Sequence, residues 1–380
     1  MKLRYIAGPL LLSLAFSASA QIKIGLPLAT TGPAASLGIP ERNTALLFPA
    51  TIAGQKVEYI VLDDASDTTN ARKNVERLTS EDKVDVIIGP STSPTTLAVL
   101  EVAAKSQTPL ISLGAAVRIV QPIDDQKRWA FKTPYNDSIV AEASVLDMVK
   151  KGVKTLGYIG YNDAYGESWF LELKKAADKQ NVQIVANEQY SPKDTSVTAQ
   201  ILKIVAANPQ AVLIVGSGTP AVLPQVALNE RGYKGRIYQT AGVVNNDFLR
   251  VGGKNIEGVL LAAGPVIVID ELPSSNPAKK VGVDYKQQYE AKFGAGTVAT
   301  FGANAWDAML ILQRAIPEAL KKAKPGTVEF RSALRDAIEG VRDLPTTHGM
   351  INMSASEHNG YSPEAPVIIT VRDAKWAYPK

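Results

Sequence analysis

Short uninterrupted runs of Val, Ile and Leu alternate along this chain with stretches of helical period, and that rhythm narrows the possible folds more than any other feature. A strand that is apolar at every position, not at every second one, has both faces covered. Such runs occur at 22–26, 57–62, 85–88 and 109–111, with helical patterns at 36–48, 68–80 and 94–105 between them. In the helix at 68–80, Ala71, Val75 and Leu78 recur on one face. A helix at 137–150 opens a second series, with strands at 155–159, 182–188, 211–215 and 236–239 and helices at 164–179, 196–206 and 220–230. Two βαβ arrays in one chain predict an α/β fold of two doubly wound lobes. The length of 380 residues suits two such units. Beyond residue 262 the pattern breaks at Pro265, Pro273 and Pro277, then resumes with helices at 281–293, 301–320 and 328–339. Strands are expected at 350–353, 366–371 and 375–377.

Composition removes much of the enzyme repertoire. There is no cysteine, hence no disulfide, thiolate nucleophile or Cys-ligated metal, and only His348 and His358 offer imidazole. The two histidines lack the i, i+4 spacing of a zinc helix, and no metal or cofactor is expected. The glycines at 216 and 218 lack the Lys of a phosphate-binding loop. Asp63, Asp64 and Asp67 read as a cap and solvated charge. A formal charge of +4 over this length makes no basic surface for nucleic acid.

Residues 1–20, MKLRYIAGPLLLSLAFSASA, read as a signal peptide: Lys2 and Arg4 lead, an apolar centre follows, and Ala18-Ser19-Ala20 closes it. Gln21 stands where a lipoprotein would carry its acylated Cys, so the expected product is periplasmic and not lipid-anchored. No later segment reaches the ~18 apolar residues of a membrane span.

Five stretches in order carry a resemblance: IKIGLPLATTGPAASLG from residue 22, LDDASD at 62–67, IIGPSTSPTT at 87–96, PLISLGAA at 109–116 and YNDAYGE at 161–167. Together they resemble the substrate-binding proteins of branched-chain-amino-acid-type ABC importers, the Leu/Ile/Val-binding group of type I periplasmic binding proteins. The resemblance implies two lobes joined by three crossovers, with the ligand in the cleft between them. It places the first lobe at 21–134 plus 265–345 and the second at 135–264 plus 346–380. It also implies a monomeric, non-enzymatic receptor that hands a small carboxylate ligand to the membrane permease of an ABC importer, or a sensor of the same fold that reports to a signalling partner.

The motif at 89–96 reads, by itself, as a strand running into a helix capped by Ser93 and opened by Pro94. The resemblance instead gives the Ser93 hydroxyl to the ligand carboxylate. It assigns Gly114 and Ala116 to the adjoining loop, Tyr165 to closure from the second lobe, and Leu37 and Trp306 to apolar walls. Without it, Tyr165 is equally a half-buried helix-terminal Tyr, and Trp306 is a core residue in register with Phe301, Met309 and Leu312. Three positions depart from the family pattern. Ala116 lacks a hydroxyl, Gly218 stands for a Tyr, and Ala241 stands for the carboxylate that pairs with a ligand ammonium. A buried ammonium without a counter-charge is costly, so these losses favour an acid without an α-amino group, flat and aromatic. Amino acids remain the alternative, since Asn245, Asn246 or Asp247 would restore a contact if the alignment slips. Ser66 and Thr92 together replace a disulfide that members often carry.

Overall fold

The computed structural model describes residues 21–379, so the signal peptide read at residues 1–20 lies outside the described residues. The two arrays form two sheets, one in each lobe. In the first, six strands lie in the order Thr51–Ile52, Gln55–Asp63, Ile22–Leu28, Val86–Ile88, Leu110–Ser112 and Ala130–Lys132. Every pairing is parallel except that of Thr51–Ile52. The central strand Ile22–Leu28 shows why the apolar run was needed. Ile22, Ile24, Leu26 and Leu28 are all fully buried, and Gly25 lets Leu78 of helix Thr68–Ser80 settle directly on the backbone. That helix starts where Asp67 Oδ1 accepts from the N–H groups of Thr69 and Asn70.

The second sheet has seven strands, in the order Lys375–Ala377, Val367–Arg372, Leu260–Ala263, Arg236–Tyr238, Ala211–Val215, Thr155–Tyr161 and Gln183–Tyr190. The first two of these run antiparallel at one edge; the rest are parallel. The chain passes between the sheets three times: from Lys132 to helix Asp137–Lys150, from Ala263 toward helix Thr300–Leu320, and from the hairpin ending at Ile351 to Val367. The long helix Thr300–Leu320 packs on helix Ala35–Ala45 of the first lobe.

Several elements differ from the sequence reading. The helix expected over 94–105 is two, Ser93–Leu97 and Leu100–Lys105, with Ala98 and Val99 as the caps between them. The proline-marked stretch after residue 264 contains a 3₁₀ helix, Pro265–Glu271. The strands Ala130–Lys132 and Leu260–Ala263 and the helix Asn246–Gly252 are too short to leave a period in the sequence. No helix among the described residues is long and apolar enough to cross a membrane.

Close packing around the central strand sets the first expected outcome. Ile24→Ala should cost about 2–5 kcal/mol in urea unfolding, whereas Leu171→Ala, at a side chain 57% exposed, should stay within about 0.5 kcal/mol. Equal losses at the two positions would contradict the assignment of the core.

Candidate functional site

In open parallel sheets, ligands sit beyond the carboxyl ends of the strands where the strand order reverses. Both sheets have such a point. In the first it lies between Ile22–Leu28 and Val86–Ile88, and in the second between Thr155–Tyr161 and Ala211–Val215. The loops leaving these ends face one another and enclose a cavity of about 240 Å³. Leu37, Ser93, Gly114, Tyr165 and Ala241 all line it, although they come from five separate segments. The lobes touch around it: Arg118 pairs with Glu167 at 3.2 Å, and the Val117 N–H donates to Asp137 Oδ1 at 3.0 Å.

One corner is polar. Thr92, not Ser93, caps the helix Ser93–Leu97: its hydroxyl accepts from Thr95 N–H, and the Thr95 side chain returns the contact. Ser93 is thereby released from capping. Its Oγ accepts the N–H of Ala116 at 3.0 Å, which leaves the hydroxyl proton for a ligand acceptor. Gly114 is pressed so closely onto the Thr92–Ser93 backbone that a Cβ would lie 2.8 Å from Ser93 N. Its own N–H is already given to Ser112 Oγ at 2.9 Å. Ala116 contributes only that backbone N–H. Its methyl is fully buried among Leu100, Ile119, Val120 and Ala130, so it is not on the cavity wall.

Behind this corner lies a residue that sequence reasoning missed. Lys132 is 0% exposed, and its ammonium donates to the carbonyls of Ala115 and Tyr135, two lining residues. Burial pulls this amine down to about 7, against the raising influence of Asp137 and Glu357.

The remaining walls set aromatic rings beside polar groups, among them Asp163, Lys193, Asn304 and His348. Tyr135, Tyr161, Tyr165, Trp169 and Phe301 line the cavity. All three tyrosine hydroxyls are spent on the protein: Tyr135 donates to the His348 carbonyl, Tyr161 to the Ser217 carbonyl at 2.7 Å, and Tyr165 to Thr240 Oγ1 at 2.8 Å. Rings and not hydroxyls are therefore what they offer a ligand. Trp169 lies one helical turn beyond Tyr165, a spacing that could have revealed it. Trp306, expected as a wall, is not among the lining residues; it packs on Tyr285 with ring centroids 5.4 Å apart. Phe301 takes the wall position instead, because five residues along a helix rotate a side chain by about 140°.

In the second lobe, Ala241 lines the cavity as the first residue of a 3₁₀ turn. Gly218 does not line it. At φ +64°, with a Cβ position 2.8 Å from Ser36 Oγ and 3.4 Å from Leu37, it has no room for the Tyr of the family pattern. Asn245, Asn246 and Asp247 are also absent from the wall. Asn245 caps the next helix, Asn246 donates to the Gly296 carbonyl, and Asp247 pairs with Arg250. The acid that does stand on the wall is Asp163, contrary to the expectation of a far side without one. Its Oδ1 accepts the N–H groups of Tyr165 and Gly166 as the cap of helix Ala164–Lys179, and burial raises its carboxyl. His348 also lines the cavity, its Nδ1 on Asp307 at 2.7 Å and its Nε2 on Thr300 at 2.9 Å. Ser93 forms no hydrogen bond with that pair.

A cleft of this build, closed between two switch points with a polar corner and aromatic rings in its walls, defines a two-lobed solute receptor. The chain belongs to the periplasmic binding protein family, whose model matches residues 21–370. It is similar to a solved extracellular ligand-binding receptor from Rhodopseudomonas palustris HaA2, with 44% identity, a TM-score of 0.92, and coverage of 95% of this chain and 100% of that one. The Leu/Ile/Val-binding protein BraC3 of Rhizobium johnstonii is 23% identical over 363 residues, 92% of this chain and 93% of that protein. A solute binding protein of an ABC transporter from Rhodopseudomonas palustris BisB5, solved in complex with 3,4-dihydroxybenzoic acid, shares the fold at 20% identity and a TM-score of 0.78, covering 94% and 95% of the two chains.

Beneath the polar corner, Ser91 accepts the Ala29 N–H at 3.0 Å and donates to the fully buried Glu41. Burial holds the Glu41 carboxyl well above its ordinary value, outweighing the Ser91 hydrogen bond, and Asp64 adds to the rise. A carboxyl whose folded value is raised contributes stability that is present in acid and lost as pH rises above its unfolded value. Glu41→Gln should remove that loss. Urea unfolding should find the variant gaining on the wild type as pH rises above about 5, by up to about 1.4 kcal/mol per pH unit. A difference that does not change with pH would refute it.

Proposed function

We propose that this protein is a periplasmic receptor that captures a small organic acid, preferably an aromatic one without an α-amino group, and delivers it as a monomer to the membrane permease of an ABC importer. One observation carries the reading: a polar corner built on Ser93 faces three tyrosines whose hydroxyl protons are all committed elsewhere. A flat ring suits walls that offer ring faces, and a carboxylate suits a hydroxyl whose proton is free to donate. The BisB5 relative, solved with a dihydroxybenzoic acid, is a precedent for such a ligand on this fold. In this role no bond is made or broken. The ligand bridges Ser93 and Gly114 on one lobe and Tyr165 on the other, and its differential affinity favours the closed arrangement. A shift from 1:99 to 99:1 requires about 5.5 kcal/mol.

Asp163 supports a second reading. A carboxylate on the second-lobe wall would receive an ammonium, and relatives such as BraC3 are named for leucine, isoleucine and valine.

A thermal-shift screen of benzoates and cinnamates against branched-chain amino acids separates the two. Aromatic acids should raise the melting temperature, with about 4 kcal/mol of added stability at a thousandfold excess over Kd. Stabilisation by leucine or valine alone would replace the first reading by the second. Ser93→Ala should weaken acid binding roughly tenfold, the value of about one charge-assisted hydrogen bond, while the free protein stays folded with a modestly lower melting temperature, because the Ala116 N–H loses its partner; an unchanged Kd would remove Ser93 from the site.

A further inference from the structure

Lys132 is a fully buried ammonium with no carboxylate paired to it among the described residues. The charged groups that act on it do so from farther away. Asp137, at the start of helix Asp137–Lys150, has Oδ1 engaged by the N–H groups of Val117 and Ser138. Glu357, in the third crossover, is engaged by Gln121 Nε2 and the N–H groups of Asn359 and Gly360. His358 faces the strand through its carbonyl, which accepts the Lys132 N–H at 3.1 Å, while its ring lies on Phe131 and bonds the Ala130 carbonyl. Tyr135 presents only its carbonyl to the ammonium. A buried cation without a direct counter-ion is costly, and it favours any anion able to reach it.

A path to such an anion runs through the Ala115–Ala116 peptide. Lys132 Nζ donates to the Ala115 carbonyl. In a trans peptide the N–H points away from the carbonyl, and the N–H of that same unit, belonging to Ala116, donates to Ser93 Oγ at 3.0 Å. Ser93 lines the cavity, and its hydroxyl proton is not given to any protein group among the described residues. Hydrogen bonds linked in series polarise one another, most strongly where water is excluded.

We propose that Lys132 is the positioning charge of the carboxylate subsite: through the Ala115–Ala116 peptide it fixes and polarises the Ser93 hydroxyl, and the ligand carboxylate supplies its missing counter-charge. This rests on the reading of the ligand as an acid. The amine lies near its midpoint at neutral pH in the free protein, and an arriving carboxylate favours its charged form. Binding therefore takes up protons, and affinity declines as pH rises above about 7.

The test titrates the wild type with benzoate and with benzamide by calorimetry at about pH 6 and about pH 8.5. Benzoate should bind roughly tenfold more weakly at the higher pH, and benzamide equally at both. Lys132→Met should bind benzoate at least about tenfold more weakly at pH 6, lose the pH dependence, and keep its affinity for benzamide. A merely structural role would weaken both probes alike. A wild-type Kd for benzoate that is flat with pH overturns the proposal, and this measurement stands even if the variant does not fold. So does a folded Lys132→Met that retains the preference for acid over amide. If leucine binds and benzoate does not, the aromatic reading falls alone, and leucine goes through the same pH series in wild type and variant to decide on Lys132. If no acid binds, both fall.

Discussion

The cleft depends on how the three crossovers are sewn together where water is excluded. Asn359, from the third crossover, donates to the carbonyls of Lys132 and Pro134 at 3.2 and 2.8 Å and accepts the N–H of Asn136 at 3.1 Å, so one buried amide ties the first crossover to the third. Asp307 on helix Thr300–Leu320 gathers Thr347, His348 and Tyr361, and Tyr135 returns to the His348 carbonyl. Unpaired buried polar groups are expensive, so a seam of this kind has one favoured arrangement. It fixes where the two sets of strand ends confront each other. Residues far apart in sequence meet at one cavity for that reason.

The layers of the fold were legible because burial on both faces forces a continuous apolar run, and because caps such as Asp67 and Asp163 mark helix starts. Helices Thr68–Ser80, Asp137–Lys150, Ala164–Lys179 and Val328–Glu339 have the limits that period and capping imply. Five of the expected site residues meet at the cavity because each follows a strand, and strand ends are visible in the sequence.

What stayed hidden depends on tertiary contact. Lys132 ends a strand of three residues, too short to register, and a lone Lys after Phe131 reads as solvent-exposed. Its ammonium is held by the carbonyls of Tyr135, three residues on, and of Ala115, seventeen residues back on another loop. Thr92 and Ser93 are interchangeable as caps by residue type, and the choice is made by Thr95 and Ala116. Trp306 and Phe301 both suit an apolar face; which one meets the cleft depends on Tyr285 filling the space beside Trp306. Gly218 looked like a lost ligand contact, yet its conformation and the nearness of the Ser36 and Leu37 side chains show a place where the lobes meet closely.

The charges of the cleft can be weighed from their surroundings. Asp163 is a formal anion on the wall, but its oxygen accepts two N–H groups at the start of a sixteen-residue helix, where the partial positive charge of the helix already offsets it. Lys132 has carbonyl dipoles for company and no direct anion. The two are thus unequal: the acid is satisfied by the fold, and the base is satisfied only in part. Lys193 lines the cavity as well, so a solute entering it has a cation at the wall besides the buried Lys132 behind the Ser93 corner. An acid is the complement that the proposed reading favours, and the Asp163 carboxylate on the opposite wall is what supports its rival. An ammonium would share this carboxyl with the Tyr165 and Gly166 amides, which both hold Oδ1, and would meet a group that burial pushes toward its neutral form.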